Sequence, residues 1–221
     1  MTEGRTYRGA TLAERRTDRH QRLIAAGLED IGTIGFDATT VKGVCARAGL
    51  TERYFYEHFP DREALLVGVF EHVVEIVLAA AFSAAQAAPP TLDARVRAGL
   101  EGFLGALSED PRRARVQLVE VVGRSPALER RRFEVMHTVA SFIESSAREL
   151  DPMREYLPGS RQHAVVLALV GGTNHLAIEW ALGDLRMEFD QLVDALAALF
   201  NSASEIEFPA GVTTTSHRPK R

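Results

Sequence analysis

The segment Ala48-Gly49-Leu50-Thr51 constrains this chain more than any other, because it joins two short amphipathic runs. The first run, Val41 to Ala48, follows Thr40, whose hydroxyl suits an N-cap, and its apolar stripe is Val41, Val44, Cys45 and Ala48. Gly49 permits the left-handed backbone that ends a helix, Leu50 returns to the core, and Thr51 caps the next helix. Helices joined by so tight a turn cannot lie antiparallel. They cross steeply, as in a helix-turn-helix. The second run, ERYFYEHF over 52–59, places Phe55 and Phe59 on one face as core anchors, and Pro60 and Asp61 close it.

The rest of the chain is periodic in the helical sense. A first helix from about Leu12 carries Leu23, Ile24, Leu28 and Ile31 at helical spacing and breaks near Gly32 and Gly35. A long fourth helix, 62–88, precedes Pro89 and Pro90. Runs at 91–108, 111–123, 126–150, 161–183 and 188–206 follow, opened by Thr91, Pro111 and Ser125. The 161–183 run is apolar nearly all round and therefore buries more than one face. Strand alternation and internal repeats are absent. The expected fold is all-α, with about nine helices. It divides into a flexible arm over 1–14, a three-helix helix-turn-helix domain over 15–62, a larger helical domain over 63–207, and a disordered tail over 208–221.

Composition narrows the function classes. The 221 residues are 46% hydrophobic and 25% charged, ordinary for a globular chain. No continuous apolar run reaches the roughly 18 residues of a membrane span, and the N-terminus lacks the apolar core of a secretory signal. A membrane partner is not expected. Cys45 is the lone cysteine, which excludes an internal disulfide and fits a reducing cytoplasm; it is read as a small core residue. The net charge of -4 gives no global basic field, so any nucleic-acid binding must use a local face. The chain has no nucleophile elbow, phosphate-cradling glycine loop or zinc helix, so an enzyme is not expected. Gly102, Gly105, Gly171 and Gly172 fall inside helical runs and form no nucleotide fingerprint. No set of residues has metal-ligand spacing, and no cofactor is expected.

The segment TTVKGVCARAGLTERYFYEHFPDREALL resembles the DNA-binding segment of the TetR family of transcriptional regulators. The resemblance rests on Thr40, Ala48-Gly49-Leu50, Tyr56 with Phe59, Arg62 and Leu65, and it is strong over residues 20 to 66. Beyond that it is architectural. The chain departs from the family where Gly-Thr-Leu is frequent, having Arg53-Tyr54-Phe55 instead, which implies a different operator. The second helix of such a motif enters the major groove. Arg53 can then bind a guanine edge, worth roughly 1–3 kcal/mol of discrimination, while Tyr54 packs on a thymine methyl or bonds a phosphate. Lys42 occupies a groove-facing position, and Thr40, Thr51, Tyr56, His58 and Arg62 are expected on phosphates. Arginines of the first helix add non-specific attraction.

The resemblance also implies a homodimer built on the last two long helices. Ala168, Gly172, Leu176 and Trp180 offer one seam, and Leu196 with Phe200 a second ridge. The alternative is that they form intramolecular core. A two-fold dimer would set its recognition helices ~34–36 Å apart, matching a palindromic operator on double-stranded DNA. The expected partner is a small-molecule effector, seated among Phe103, Leu107, Leu118, Val122, Phe133, Met136, His137, Asn174 and His175, whose binding releases DNA. The long fourth helix would carry the signal between domains. The competing function class is an α-helical interaction module without DNA binding.

Overall fold

A computed structural model of the protein describes residues 12–151, 160–204 and 206. The N-terminal arm through residue 11, most of the loop expected over 151–160 and the tail over 208–221 lie outside the described residues. Among the described residues the chain is all-helical: α1 (Leu12–Ile34), α2 (Val41–Ala48), α3 (Glu52–Tyr56), α4 (Arg62–Ala87), α5 (Leu92–Ser108), α6 (Pro111–Arg115), α7 (Pro126–Leu150), α8 (Arg161–Leu182) and α9 (Phe189–Ser204). A π-helical turn, Val116–Glu120, continues directly from α6.

Local chemistry sets these boundaries. Thr40, Asp61, Thr91, Ser125 and Ser160 each accept a backbone N–H of the following turn, satisfying one of the orphan donors there. Gly49 (φ 63) and Gly183 (φ 83) end α2 and α8 in the left-handed region, where a Cβ is disfavoured. Two expectations shift. Thr51 makes no side-chain cap bond, and α3 stops at Tyr56. Residues 57 and 58 form a turn ahead of Pro60. The run expected as one helix over 111–123 breaks into α6 and the π-turn.

The first turns of α4 complete the N-terminal core. Leu65, Leu66 and Val69 are fully buried with Leu23, Ile31, Val44 and Phe55. Gly27 and Gly68 allow α1 and α4 to cross closely, since a Cβ at Gly27 would lie 2.8 Å from Val69 Cγ2 and one at Gly68 2.9 Å from Ile24 Cδ1. In the larger domain α4 and α5 pack side by side, and Gly102 lies against the backbone of Ala80 and Ala81, which explains a glycine inside a helix. The core runs on without a break from α1 to α9. α4 and α8 are long and apolar enough to cross a membrane by composition. In the fold their inner faces pack on neighbouring helices, through Val73 and Val77 of α4 and Val170 and Ala177 of α8.

Candidate DNA-binding face and effector cavity

The helix-turn-helix is held by α1. Arg22 donates from Nε to Ala48 O at 3.1 Å and from Nη2 to Gly49 O at 3.2 Å, tying down the turn. Asp30, buried, accepts from Arg47 Nε at 2.7 Å and fixes the outer end of α2. Phe55 is fully buried, and that anchors the short α3. Cys45 is buried as expected, and burial, with Glu52 adding, pushes its thiol pKa up.

This scaffold leaves Thr40, Lys42, Thr51, Arg53 and Tyr56 on its outer surface. Arg53 is 85% exposed and carries a loose ion pair with Glu57 at 3.3 Å, one helical turn along. Tyr54 is half-buried beneath the Arg19 guanidinium, 4.5 Å from its ring centre, which orients the phenol from α1. The hydroxyl of Thr40 accepts the cap bond from Gly43 N at 3.0 Å, which leaves its O–H available as a donor to a phosphate.

His58 and Arg62 are placed otherwise than expected. His58 stands against His20 (5.5 Å between ring centres), and its Nε2 is buried without a partner. Burial, reinforced by His20, Arg16 and Arg19, lowers its pKa, so the ring is a neutral packing group between α1 and α3. Arg62 lies over the Phe36 ring at 5.1 Å and donates to the carbonyls of Phe36 and Thr39. Its guanidinium thus braces the α1–α2 loop. A carbonyl-rich loop competes for the same donors that a phosphate would use.

The second feature is a cavity enclosed by α4, α5, α7 and α8, with about 1030 Å³ of empty space including its open mouth. Its wall on α7 comprises Arg132, Val135, Met136, Val139, Phe142, Ile143 and Ser146, a single helical face. At 1.5 Å per residue that face extends ~21 Å, so the cavity is long rather than round. Phe82 and Phe142, stacked at 4.0 Å, form part of the wall. The polar lining comes from Arg95, Gln117, Arg132, Ser146, Thr173 and Asn174.

Of the nine residues expected there, Phe103, Met136 and Asn174 line the cavity. Leu107 and Leu118 are buried in the core beside it. Val122 and Phe133 are exposed, because each falls on the outward side of its segment. His137 is exposed on α7 and stacks on His163 at 5.7 Å, and His175 is exposed on α8, 3.9 Å from Glu179. The sequence pattern does not reveal the α4 wall, Gln117, Thr173, or the α5 and α7 walls beyond Phe103 and Met136. A polar residue inside an apolar run was the available signal at Gln117. On the expected dimer seam, Ala168 and Gly172 are exposed while Leu176 and Trp180 are half-buried. Leu196 and Phe200 point inward into the protomer core, so the free side of α9 is Ala195, Ala198 and Leu199 instead.

A polar junction connects the cavity wall to the helix-turn-helix. Gln117 and Glu120 stand three residues apart and would share a face on an α-helix. The wider π-turn separates them: Gln117 lines the cavity, while buried Glu120 reaches the α1–α2 loop. Glu120 accepts from Phe36 N at 3.0 Å and Arg115 Nε at 3.1 Å, with Arg124 Nη2 at 3.5 Å. Arg124 also pairs with Asp37 at 2.6 Å and covers the face of Phe36 at 5.1 Å. Arg115 donates to Thr33 O at 2.6 Å, and Arg112 pairs with Glu29 of α1.

Fold and face together define a helix-turn-helix protein with an open, largely apolar cavity in its larger domain. Residues 23–69 match the family model for bacterial regulatory proteins of the tetR family. No curated protein matches the chain in sequence. Among solved structures it is similar to the fatty acid degradation regulator FadR from Bacillus halodurans, with 16% identity and a TM-score of 0.69 over 82% of this chain and 93% of that one. FadR from Bacillus subtilis, solved in complex with stearoyl-CoA, is 16% identical with a TM-score of 0.68 over 83% and 98% of the two chains. A TetR-like transcriptional regulator from Rhodococcus is 19% identical, with a TM-score of 0.61 over 90% of this chain and all of that one. The chain as a whole has the fold of a TetR-family transcriptional regulator.

Proposed function

We propose that this protein is a ligand-responsive repressor whose homodimer binds a palindromic operator and is released when a small, largely apolar effector fills the cavity. The observation that carries the reading is the π-turn, which bears a cavity residue on one side and the buried Glu120 clamp of the α1–α2 loop on the other. Arg53 and Lys42 read base edges, Tyr54, Tyr56 and Thr51 set the register, and Arg62 holds the loop between α1 and α2. The stearoyl-CoA complex of the Bacillus subtilis relative supports an apolar effector. Release requires that the effector bind the DNA-incompetent arrangement more tightly, and the Glu120 junction, alongside α4, is where the two arrangements differ.

The dimer uses the outer face of α8, where Ala164, Ala168 and Gly172 allow close approach, together with Leu182 and Leu199, which are 58% and 48% exposed. α8 is less buried within the protomer than the comparably apolar α4, so α8 has apolar surface left to cover. Such a dimer is a cytoplasmic, DNA-bound species.

The test is selection of duplexes from genomic DNA by the purified protein, followed by titration of the enriched sequence. A palindromic duplex bound at about nanomolar Kd, and lost in R53A/Y54A, is the expected result. Equal binding by wild type and variant, or only a salt-sensitive background, overturns it.

A further inference from the structure

Two buried polar side chains of the cavity wall are unexplained by packing. Gln117 is 7% exposed and Thr173 8% exposed, and neither Gln117 Oε1 nor Thr173 Oγ1 has a hydrogen-bond partner within the protein. Helical threonines elsewhere in this chain bond back to their own helix, as Thr33 does to Glu29 O at 2.6 Å and Thr138 to Glu134 O at 2.9 Å. Thr173 does not. Gln117 sits between the buried Val116 and Leu118, the most apolar setting on its segment, and α8, which bears Thr173, packs against that π-turn. Buried polar groups are ordinarily satisfied, so two unpartnered side chains lining one cavity, on elements packed together, mark where a ligand's polar atoms go.

The charges around the cavity decide what kind of polar atoms. Its two cations are both committed: Arg95 Nη1 to Glu149 Oε2 at 2.8 Å and Arg132 Nη1 to Glu129 Oε2 at 2.8 Å. Arg95 Nε is also unpartnered, but Glu149 already balances that guanidinium. A carboxylate buried beside Gln117 would have no free counter-charge and would bear its full desolvation cost. A carboxamide and a hydroxyl each donate and accept, so their complement is a neutral group that does both.

We infer that Gln117 and Thr173 anchor the uncharged, hydrogen-bonding end of an elongated apolar effector, a hydroxyl or carboxamide, and that an acid is excluded from this position. The inference rests on the cavity being the effector site. It also places the anchored group on the π-turn, three residues from Glu120, so that seating the ligand and loading the interdomain clamp involve one element.

The experiment uses the full-length protein without DNA, so its outcome is independent of whether the chain reads an operator. Calorimetric titration compares lauryl alcohol, laurate at pH 8 and dodecane, on wild type and on Q117L/T173V. The alcohol should bind wild type about tenfold more tightly than either other probe, and the variant should lose that advantage while keeping its affinity for dodecane. Without ligand, the variant should melt at the same or a higher temperature, since two unsatisfied polar atoms are gone. Laurate binding as well as the alcohol, an alcohol preference surviving in the variant, a failure of all three probes to bind, or a variant that melts lower would each overturn the inference.

Discussion

The two domains solve opposite packing problems with the same kinds of helix. In the N-terminal domain glycines let α1 and α4 approach closely, Phe55 and Leu66 are fully buried, and arginines hold the turn and loop by their carbonyls. Among its described residues the unpartnered buried nitrogens are Arg19 Nε and His58 Nε2, and neither residue lines the cavity of the larger domain. In the larger domain aromatic and aliphatic side chains stop short of one another, and half-buried Phe82, Phe103 and Phe142 surround open space. A DNA reader gains from arriving already ordered, because ordering on binding would be subtracted from affinity. A sensor must keep room for its ligand and gives up packing energy to do so.

Truncating an aromatic ring in each domain tests that contrast most strongly. F55A should cost about 3–5 kcal/mol, enough to unfold the helix-turn-helix. F142A, whose ring already borders space, should cost markedly less, chiefly its stacking with Phe82 at about 0.5–1.5 kcal/mol. Denaturant titration of both variants measures the difference, and equal losses would mean that the cavity wall is as tightly packed as the reader.

The junction between the domains comes next. E120A strips the buried acceptor from Phe36 N, Arg115 and Arg124, and should cost about 3 kcal/mol. If this junction, and not the core that α4 carries through both domains, couples them, the E120A scanning-calorimetry trace should separate into two transitions where the wild type shows one, since the other polar links, Arg112–Glu29 among them, are half-exposed ion pairs. A single transition in E120A would assign the coupling to the continuous core instead.

At the turn, G49A should cost about 1–2 kcal/mol from the positive φ, with a further loss because its Cβ would lie 2.9 Å from Arg22 Nη2 and push that guanidinium off the Ala48 and Gly49 carbonyls. By contrast R53A, on the outer surface, should move stability by less than ~0.5 kcal/mol while weakening operator binding about tenfold to a hundredfold. Thermal melts and operator titrations on the pair separate folding from reading.

The smallest effect is a pH dependence. His58 has its pKa lowered in the fold, so the unfolded chain binds this proton more readily once pH falls below the ordinary histidine value of 6.5. By linkage, its contribution to stability is intact above that value and is lost progressively as pH falls toward the lowered folded pKa. H58F should flatten the melting temperature between pH 7 and 5 relative to wild type.

Much of this fold is legible in the sequence because its determinants are local. Thr40, Asp61, Thr91 and Ser125 mark helix starts, and Gly49 marks an end, since a cap or a left-handed residue acts within one turn of backbone. The outward position of Arg53 follows equally from the inward position of Phe55. What surrounds a side chain is not local. Periodicity identifies the apolar side of α7 and α9 without saying which neighbour covers it, so Phe133 lies outside the cavity and Phe200 inside the protomer. Arg62 resembles a phosphate contact until the Phe36 and Thr39 carbonyls arrive beneath it. The π-turn is the clearest case: the packing of α1, α4 and α8 around 116–120 gives Gln117 and Glu120 opposite duties. The sequence by itself determined most helix starts and which side of the second and third helices faces outward. The tertiary structure alone decided which side chains share the cavity and the clamp, because those depend on contacts between segments far apart in the chain.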